Sequence, residues 1–435
     1  MPGRLREFLQ THHLVGQRLC VGLSGGLDSV VLLHLMQRLR AEVDFTLSAV
    51  HVHHGLSPQA DAWAAFCADL CADWAIPLAV VRVAIDRRDP RGLEAAARAA
   101  RYACFAEQPC DGVVLAQHRD DQAETLLHQL LRGAGVKGLA AMPALRRLGD
   151  GPIRLLRPLL AHERAELRAY AETHKLAWIE DESNLDPVYS RNFLRHQVLP
   201  LIERRFPAYR ATLARAARHF ADCDHLLDDL AREDAGRVMV DDCLSVSGLA
   251  ALAPARARNL LRHYLTGRGW PPPPADWLEQ ALAQLLHARP DAQLRLTVAG
   301  RSLVRYRDRI HVLEVLPAAA GGTWPWQGQP VLPLPGLGHL EFAAAEGEGV
   351  SAARLALGPV TVRLYTGAGQ FRPDCRRPRR SVKKLFQELA VPPWQRGRTP
   401  ALYCGDHLVW LAGVGVDCAY QARPGEPGWL ISWRR

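Results

Sequence analysis

Between residues 18 and 131 short apolar runs alternate with longer amphipathic ones. Leu19–Leu23 reads as a short buried strand and Val30–Leu39 as a helix with an apolar stripe. "FTLSAVHV" (Phe45–Val52), "LAVVRVAI" and "GVVLAQH" read as further strands. Gln59–Trp74, Leu93–Glu107 and Asp120–Leu131 read as the helices between and after them. Strands and helices alternating at this spacing predict an α/β fold, a parallel sheet with helices on both faces. Ligands of such sheets bind outside the carboxyl ends of the strands. Three polar clusters fall there: Ser24–Ser29, His51–Gly55 and Gln117–Asp121.

The pattern then changes. Pro158–Lys175 reads as an amphipathic helix, followed by a polar arm, "WIEDESNLDPVYSRNFLRHQVLP", and a long helix over Ala211–Arg232. Residues 246–290 look helical with a break at "GWPPPPADW", where prolines precede a new helix start. "LRLTVAGRSLVRYRDRIHVLEV" alternates like paired strands, with turns at Ala299–Gly300 and Arg307–Asp308. Residues 317–358 are rich in Pro, Gly and Ala and read as a linker with little regular structure. The expected division is a catalytic domain over 1–215, a mainly helical central domain over 216–316, that linker, and a small mixed α+β domain over 359–435.

A length of 435 residues exceeds a single core and agrees with several domains. A hydrophobic fraction of 48% excludes a disordered chain. The formal charge of +9 points to a polyanionic partner, with a membrane surface as the competing explanation. No run of 18 apolar residues exists and the N-terminus lacks a signal-peptide apolar core, so a cytoplasmic protein without a membrane partner is expected. The ten cysteines form no C-x-x-C pair, which argues against a zinc ribbon, an iron–sulfur site or a redox dithiol. They are expected to be reduced core residues.

The chemistry concentrates at the strand ends. In "SGGLDS" a glycine pair lets the backbone turn and approach a ligand, and the following helix presents unpaired amides and its dipole to an anion. A tight turn with Asp28 or Ser29 as a helix cap explains the same residues. The segment is not a Walker A loop, because no Gly-Lys-Ser/Thr follows the glycines. His118, Asp120, Asp121 and Glu124 gather at another strand end and the first turns of its helix, Asp121 and Glu124 on one face. Helix capping needs one or two acids, not three and a histidine. Beside a triphosphate such acids hold magnesium or bind a cationic substrate.

S-G-G-x-D-S resembles the pyrophosphate-binding loop of the N-type ATP pyrophosphatases, the PP-loop superfamily. "HVHHGL", "EAAARAARY", Gln117–Thr125 and Leu131–Met142 follow in the order found in the tRNA(Ile)-lysidine synthetases, as do "WIEDESN…SRNFLR" and "SVKKLFQELAVPPWQRGRTPALYCGDHLVWLAGVGVD". The resemblance is weakest over 225–316. Two departures are "HVHHG", where the family commonly shows Asn between the first and last His, and "AQH" for the frequent "GHH".

The resemblance implies ATP-dependent ligation of L-lysine to the wobble cytidine of the isoleucine tRNA with a CAU anticodon, through an adenylated cytidine, with pyrophosphate and AMP as products. ATP and Mg2+ are the implied cosubstrate and cofactor. It implies ATP binding by Ser24, Gly25, Gly26, Leu27, Asp28 and Ser29, with His51 and His118 lining the adenosine or cytidine pocket. Asp28, Ser29, Asp121 and Glu124 are the implied catalytic groups, with Asp28 and Asp121 as candidate magnesium ligands. Arg101 stands for the lysine carboxylate, and Asp121 and Glu124 for its ammonium groups. A solvated Arg101 and packed or capping histidines fit the sequence equally well.

Asn184, Arg191, Asn192 and Arg195 in the arm suit phosphates and unstacked bases. In "RPDCRRPRRSVKKLF", Arg372, Arg376, Arg377, Arg379, Arg380, Lys383 and Lys384 face Asp374 alone, with Phe371, Phe386 and Trp394 nearby. A charge run is usually a solvated face; this density favours RNA-backbone binding. The oligomeric state stays open, a homodimer among the options. The rival readings are a tRNA thiolase, a small-molecule amidotransferase and a non-enzymatic tRNA-binding protein. The missing cysteine pairs, the basic C-terminal region and the intact polar loops count against them in turn.

Overall fold

The computed structural model describes all residues except 87, 91, 150, 181–189, 290–293, 299, 315–321, 368 and 435. It contains two compact units, Met1–Glu233 and Asp234–Arg435. The first is built from α1 (Pro2–Thr11), β1 (Arg18–Gly22), α2 (Leu27–Leu39), β2 (Thr46–His53), α3 (Ala60–Asp73), β3 (Leu78–Arg82) and α4 (Leu93–Ala106). It continues with β4 (Gly112–Val114), α5 (Arg119–Leu131), α6 (Val136–Leu139), β5 (Leu145–Arg147), β6 (Arg154–Leu156) and α7 (Arg164–Thr173). The arm supplies α8 (Ser190–Phe193), a π-turn over Leu194–Val198 and α9 (Leu199–Arg205), before the long α10 (Tyr209–Val238).

The sheet runs β3-β2-β1-β4-β6-β5. All neighbours are parallel except β5, which pairs antiparallel with β6 at the edge. Successive strand residues enter different cores, as helices on both faces require. Leu19, Val21, Leu47 and Ala49 pack with α2, whereas Cys20, Val50 and Val113 pack with Cys104 and Phe105 of α4. α2 is buried almost all round, beyond the single stripe expected, because α1 and α7 also pack on it. The chain order reverses between β1 and β4, the switch point where a doubly wound sheet opens a crevice.

Pro158–Glu163 is not helical. It forms a turn in which the His162 carbonyl accepts from the Arg119 amide at 2.7 Å, and the helix starts only at Arg164.

In the second unit a five-stranded sheet packs against helices Val246–Ala250, Pro254–Gly267 and Ala275–His287 around Leu260, Leu265, Leu303 and Ile310. Tyr306 and Arg309 pair across the expected Arg307–Asp308 turn. The expected linker is corrected. Strands Thr323–Pro325, Val331–Leu334, Gly338–Glu346 and Val350–Ser351 occupy it, and Gly338–Glu346 pairs along its length with Pro427–Arg434. Trp326, Leu340 and Phe342 from this stretch share one core with Val362, Leu402 and Trp410. Its prolines and glycines serve strand ends and turns, including Gly336 and Gly347 at positive φ.

The cysteine expectation also needs amendment: Cys375 and Cys418 are joined by a disulfide, while Cys20, Cys67, Cys71, Cys104, Cys110 and Cys404 are free and buried. Among the described residues no helix is long and apolar enough to cross a membrane.

Candidate active site

The loop after β1 is shaped by its own hydroxyls. The Ser24 amide donates to Ser29 Oγ at 3.2 Å, the Gly26 amide donates to Ser24 Oγ at 3.3 Å, and Ser29 Oγ donates to the Gly26 carbonyl at 2.9 Å. Gly26, not Asp28 or Ser29, is the cap residue, extended at φ −74, and α2 starts at Leu27. The first amides of α2 therefore have no intrahelical partner and face the crevice end of β1. Gly25 sits at φ +85, where a Cβ would lie 2.7 Å from Ile179 Cδ1. Ile179 also donates its amide to the Gly25 carbonyl at 2.9 Å, so the arm's first residues brace the loop from behind. Glycine is required there for conformation and for space.

His118, the cap residue of α5 beyond β4, lies across the switch point. Its Nε2 is 3.5 Å from Asp28 Oδ2 and 3.4 Å from Asp121 Oδ2, and its Nδ1 is 3.6 Å from Asp120. Burial opposes a charge on this ring, but Asp121, Asp120 and Asp28 outweigh it and push the His118 pKa up to about 10. Asp120 is held well below the usual carboxylate range. Burial would raise it, and His118, the Arg164 amide and Arg210 prevail. Arg210 Nε reaches it at 2.6 Å.

His51 is the opposite case. Buried, with Nδ1 2.9 Å from the Leu23 carbonyl, it has a lowered pKa and is a neutral ring that donates to the loop's base.

Asp121 and Glu124 do share a face, and the arm covers it. Arg195 Nε donates to Glu124 Oε1 at 2.5 Å and Arg191 Nε to Glu124 Oε2 at 3.2 Å. Arg195 Nη2 reaches Asp121 Oδ1 at 3.2 Å, while Asp121 Oδ2 accepts from the His118 amide at 3.0 Å. Two residues expected to meet RNA are thus counter-ions of two expected to meet lysine. The arm's charge is spent locally because a carboxylate as buried as Glu124, 1% exposed, needs a partner. Asn192 is half-buried on α8; Asn184 lies outside the described residues.

Asp28 Oδ1 is buried without a hydrogen-bond partner among the described residues. A carboxylate oxygen so placed fits magnesium, which takes one or two carboxylates and completes its shell with phosphate oxygens and water. Asp121, engaged by Arg195 and the His118 amide, does not fit as a second ligand in this arrangement.

Arg101 is half-buried, near Arg98, Tyr102, Arg191 and Glu94. Burial, then Arg98, lowers its pKa. It enters no ion pair among the described residues, which suits a guanidinium waiting for an anion. Facing it is His54, absent from the expected set. Burial, with Arg101 nearby, pushes its pKa down to about 4, and its Nδ1 is buried without a partner among the described residues. Its position in "HVHHGL" was the available signal; its neighbour His53 is instead engaged by Asp61 at 3.1 Å.

In the second unit the basic run divides. Arg377 pairs with Asp374, Arg379 with the buried Asp417, and Arg380 with Glu388. Arg376, Lys383 and Lys384 are exposed and enter no ion pair among the described residues. Phe371 and Phe386, noted beside the basic run, are fully buried core residues and offer no surface to RNA. Trp394 packs against Tyr306 and His311.

A family model described as a PP-loop domain matches residues 3–202. Models described as the TilS substrate binding domain and the TilS substrate C-terminal domain match 244–311 and 360–433. The chain is 49% identical over 422 residues to the tRNA(Ile)-lysidine synthase of Nitrosomonas europaea, covering 96% of this chain and 92% of that protein. For that of Alkalilimnicola ehrlichii the figures are 45% over 413 residues, 93% and 92%. For that of Serratia proteamaculans they are 41% over 424 residues, 96% and 96%.

Proposed function

The chain belongs to the tRNA(Ile)-lysidine synthase family, and from that premise we propose that it ligates L-lysine to C2 of the wobble cytidine in the CAU-anticodon isoleucine tRNA, in the cytoplasm. The observation that carries this reading is the opposition of the Ser24–Ser29 loop and His118 across the β1–β4 switch point, 3.5 Å apart at Asp28. A PP-loop ATP site belongs at such a point.

The cytosine C2 oxygen attacks the α-phosphorus of ATP, and pyrophosphate leaves. The lysine ε-amine then attacks C2, and AMP departs with the former C2 oxygen. The amides of Leu27, Asp28 and Ser29 hold the pyrophosphate and stabilise its charge as it leaves. His118, protonated at neutral pH, keeps a cation beside the phosphates while Asp28, Asp120 and Asp121 fix its position. Magnesium, held through Asp28 Oδ1, would neutralise the triphosphate. His51 fixes the loop through the Leu23 carbonyl.

Arg101 receives the lysine carboxylate. Asp121 and Glu124 receive its ammonium groups by exchange with Arg191 and Arg195, which pair with those acids until lysine arrives. The basic surface of the second unit supplies RNA affinity. A thiolase reading is disfavoured by Cys67, the cysteine beside the loop. Burial, with Cys71 one helical turn away, pushes its thiol up to about 12, which leaves it protonated and a poor sulfur carrier. Pyrophosphate release is the test: the reading requires that it depend on the tRNA and that AMP and lysidine form only when lysine is added.

A further inference from the structure

Away from the residues above, three guanidiniums converge on one phenol. Arg98 Nη2 donates to Tyr102 Oη at 3.0 Å and Arg157 Nη2 at 3.5 Å. Arg98 and Arg146 also lie over the Tyr102 ring, at 4.8 and 5.4 Å from its centroid. None of the three enters an ion pair among the described residues. Arg157 is 2% exposed, and its remaining bonds go to neutral acceptors, Gln117 Oε1 at 3.1 Å and the Pro143 carbonyl at 2.8 Å.

Three positive charges around a single neutral oxygen repel one another, and burial of Arg157 weakens the screening that would relieve them. A phenol is too weak a partner for such a group. Burial would raise the Tyr102 pKa, yet Arg98, Arg157 and Arg146 hold it below its ordinary value, the response of an acidic group to uncompensated positive charge. Arg157 and Tyr102 anchor the cluster, whereas Arg98 is exposed and Arg146 half-exposed. The open guanidinium edges sit where β5 and α4 meet solvent, and Arg157 connects them to Gln117, next to His118.

We infer that Arg98, Arg146 and Arg157, gathered on Tyr102, form a seat for a backbone phosphate of the RNA substrate on the first unit. This rests on the reading of the substrate as tRNA. A phosphate oxygen accepts from the free guanidinium edges in the bidentate manner arginine favours, and the Arg157–Gln117 bond ties the filled seat to the segment between β4 and α5 that carries His118. Because a backbone contact carries no base information, the seat sets affinity and register rather than choice of tRNA.

The test uses the full chain with Arg98→Gln and Arg146→Gln together, both away from the loop and the acids. Dissociation constants for the isoleucine tRNA and an unrelated tRNA are measured over a range of salt, with the KM for ATP and a thermal melt alongside. The expected result is weaker binding of both tRNAs by a similar factor, a salt slope lower by about 0.7–0.9 per lost phosphate contact, and unchanged ATP KM. Arg98→Lys with Arg146→Lys restores the slope. Unchanged tRNA affinity and slope overturn the inference, and so does a loss confined to ATP, which assigns the cluster to nucleotide phosphate. If the intact chain binds tRNA but releases no pyrophosphate with it, the proposed function fails while the seat is still judged by the slope.

Discussion

Arg195 clasps Glu124 at both carboxylate oxygens, Nε to Oε1 at 2.5 Å and Nη2 to Oε2 at 2.8 Å. The residues are 71 apart in sequence, so this clasp ties the arm to the helix that follows β4. Fork-to-fork geometry gives the strongest form of ion pair. Glu124 is almost wholly buried, so loss of Arg195 strands a charge that Arg191 alone must hold. Arg195→Met should cost about 3–5 kcal/mol of unfolding free energy, and pairing it with Glu124→Gln should recover part of that. Urea titration decides; a wild-type midpoint in Arg195→Met would show that the clasp adds nothing.

The same acids have a second test, in catalysis. Glu124→Ala should lower activity by orders of magnitude, and excess lysine should restore part of it if the carboxylate binds an ammonium group. Rescue by magnesium but not lysine would reassign Glu124 to the metal, and full activity would remove it from the site.

His118 predicts a pH dependence with a definite sign. Its folded pKa, about 10, lies above the unfolded value of 6.5, so the folded state binds the proton more tightly. The stabilisation is fully present below pH 6.5 and is lost as pH rises through about 10. The stability difference between wild type and His118→Gln should therefore shrink from pH 6 to about pH 10. Denaturation curves at several pH values measure it; a constant difference would mean that folding does not raise the ring's pKa.

Asp28→Ala should abolish adenylation and leave tRNA affinity within a few-fold, since Asp28 belongs to the Ser24–Ser29 loop and the exposed cations of the basic run belong to the second unit. Filter binding and pyrophosphate release on one preparation separate the two effects. Equal loss of tRNA binding in a folded variant would contradict the separation.

What was legible in the sequence is what local rules govern. The two periods located β1 to β4 and their helices to within a few residues, and "SGGLDS" announced its turn because Gly25 occupies a conformation and a space that a side chain would strain. β5 and β6, three residues each, show no period; β4 is as short but stands at the head of the apolar run Val113–Ala116. The strands over 323–351 were hidden by the prolines and glycines of their own turns. Nothing local marks that Arg191 and Arg195 answer Asp121 and Glu124, because long-range ion pairs leave no spacing to read. Phe371 and Phe386 lend the basic run no support as an RNA surface, because both side chains are buried in the core.

The basic run gives the last prediction. Of its seven cations, Arg377, Arg379 and Arg380 already have acidic partners, and Arg372 is half-buried with its amide donating to Asp417. Arg376, Lys383 and Lys384 are both exposed and outside any ion pair among the described residues, so they are the cations of the run best placed to meet RNA phosphates. Removal of the whole C-terminal region is a poor test, because Pro427–Arg434 completes the sheet of Gly338–Glu346 and its loss would open the core around Trp326 and Phe342. Charge substitution keeps the fold. Replacing Arg376, Lys383 and Lys384 with Gln should lower the salt slope of tRNA binding by about 2–3, at roughly 0.7–0.9 per phosphate contact. The Gln triple at Arg377, Arg379 and Arg380 should lower it less and should also destabilise the unit, since Asp417 is buried and would lose its guanidinium. Titrations of both triples across salt concentration, with melts to report folding, distinguish the classes. Equal slopes in wild type and the Arg376, Lys383, Lys384 variant would reduce the run to a solvated face.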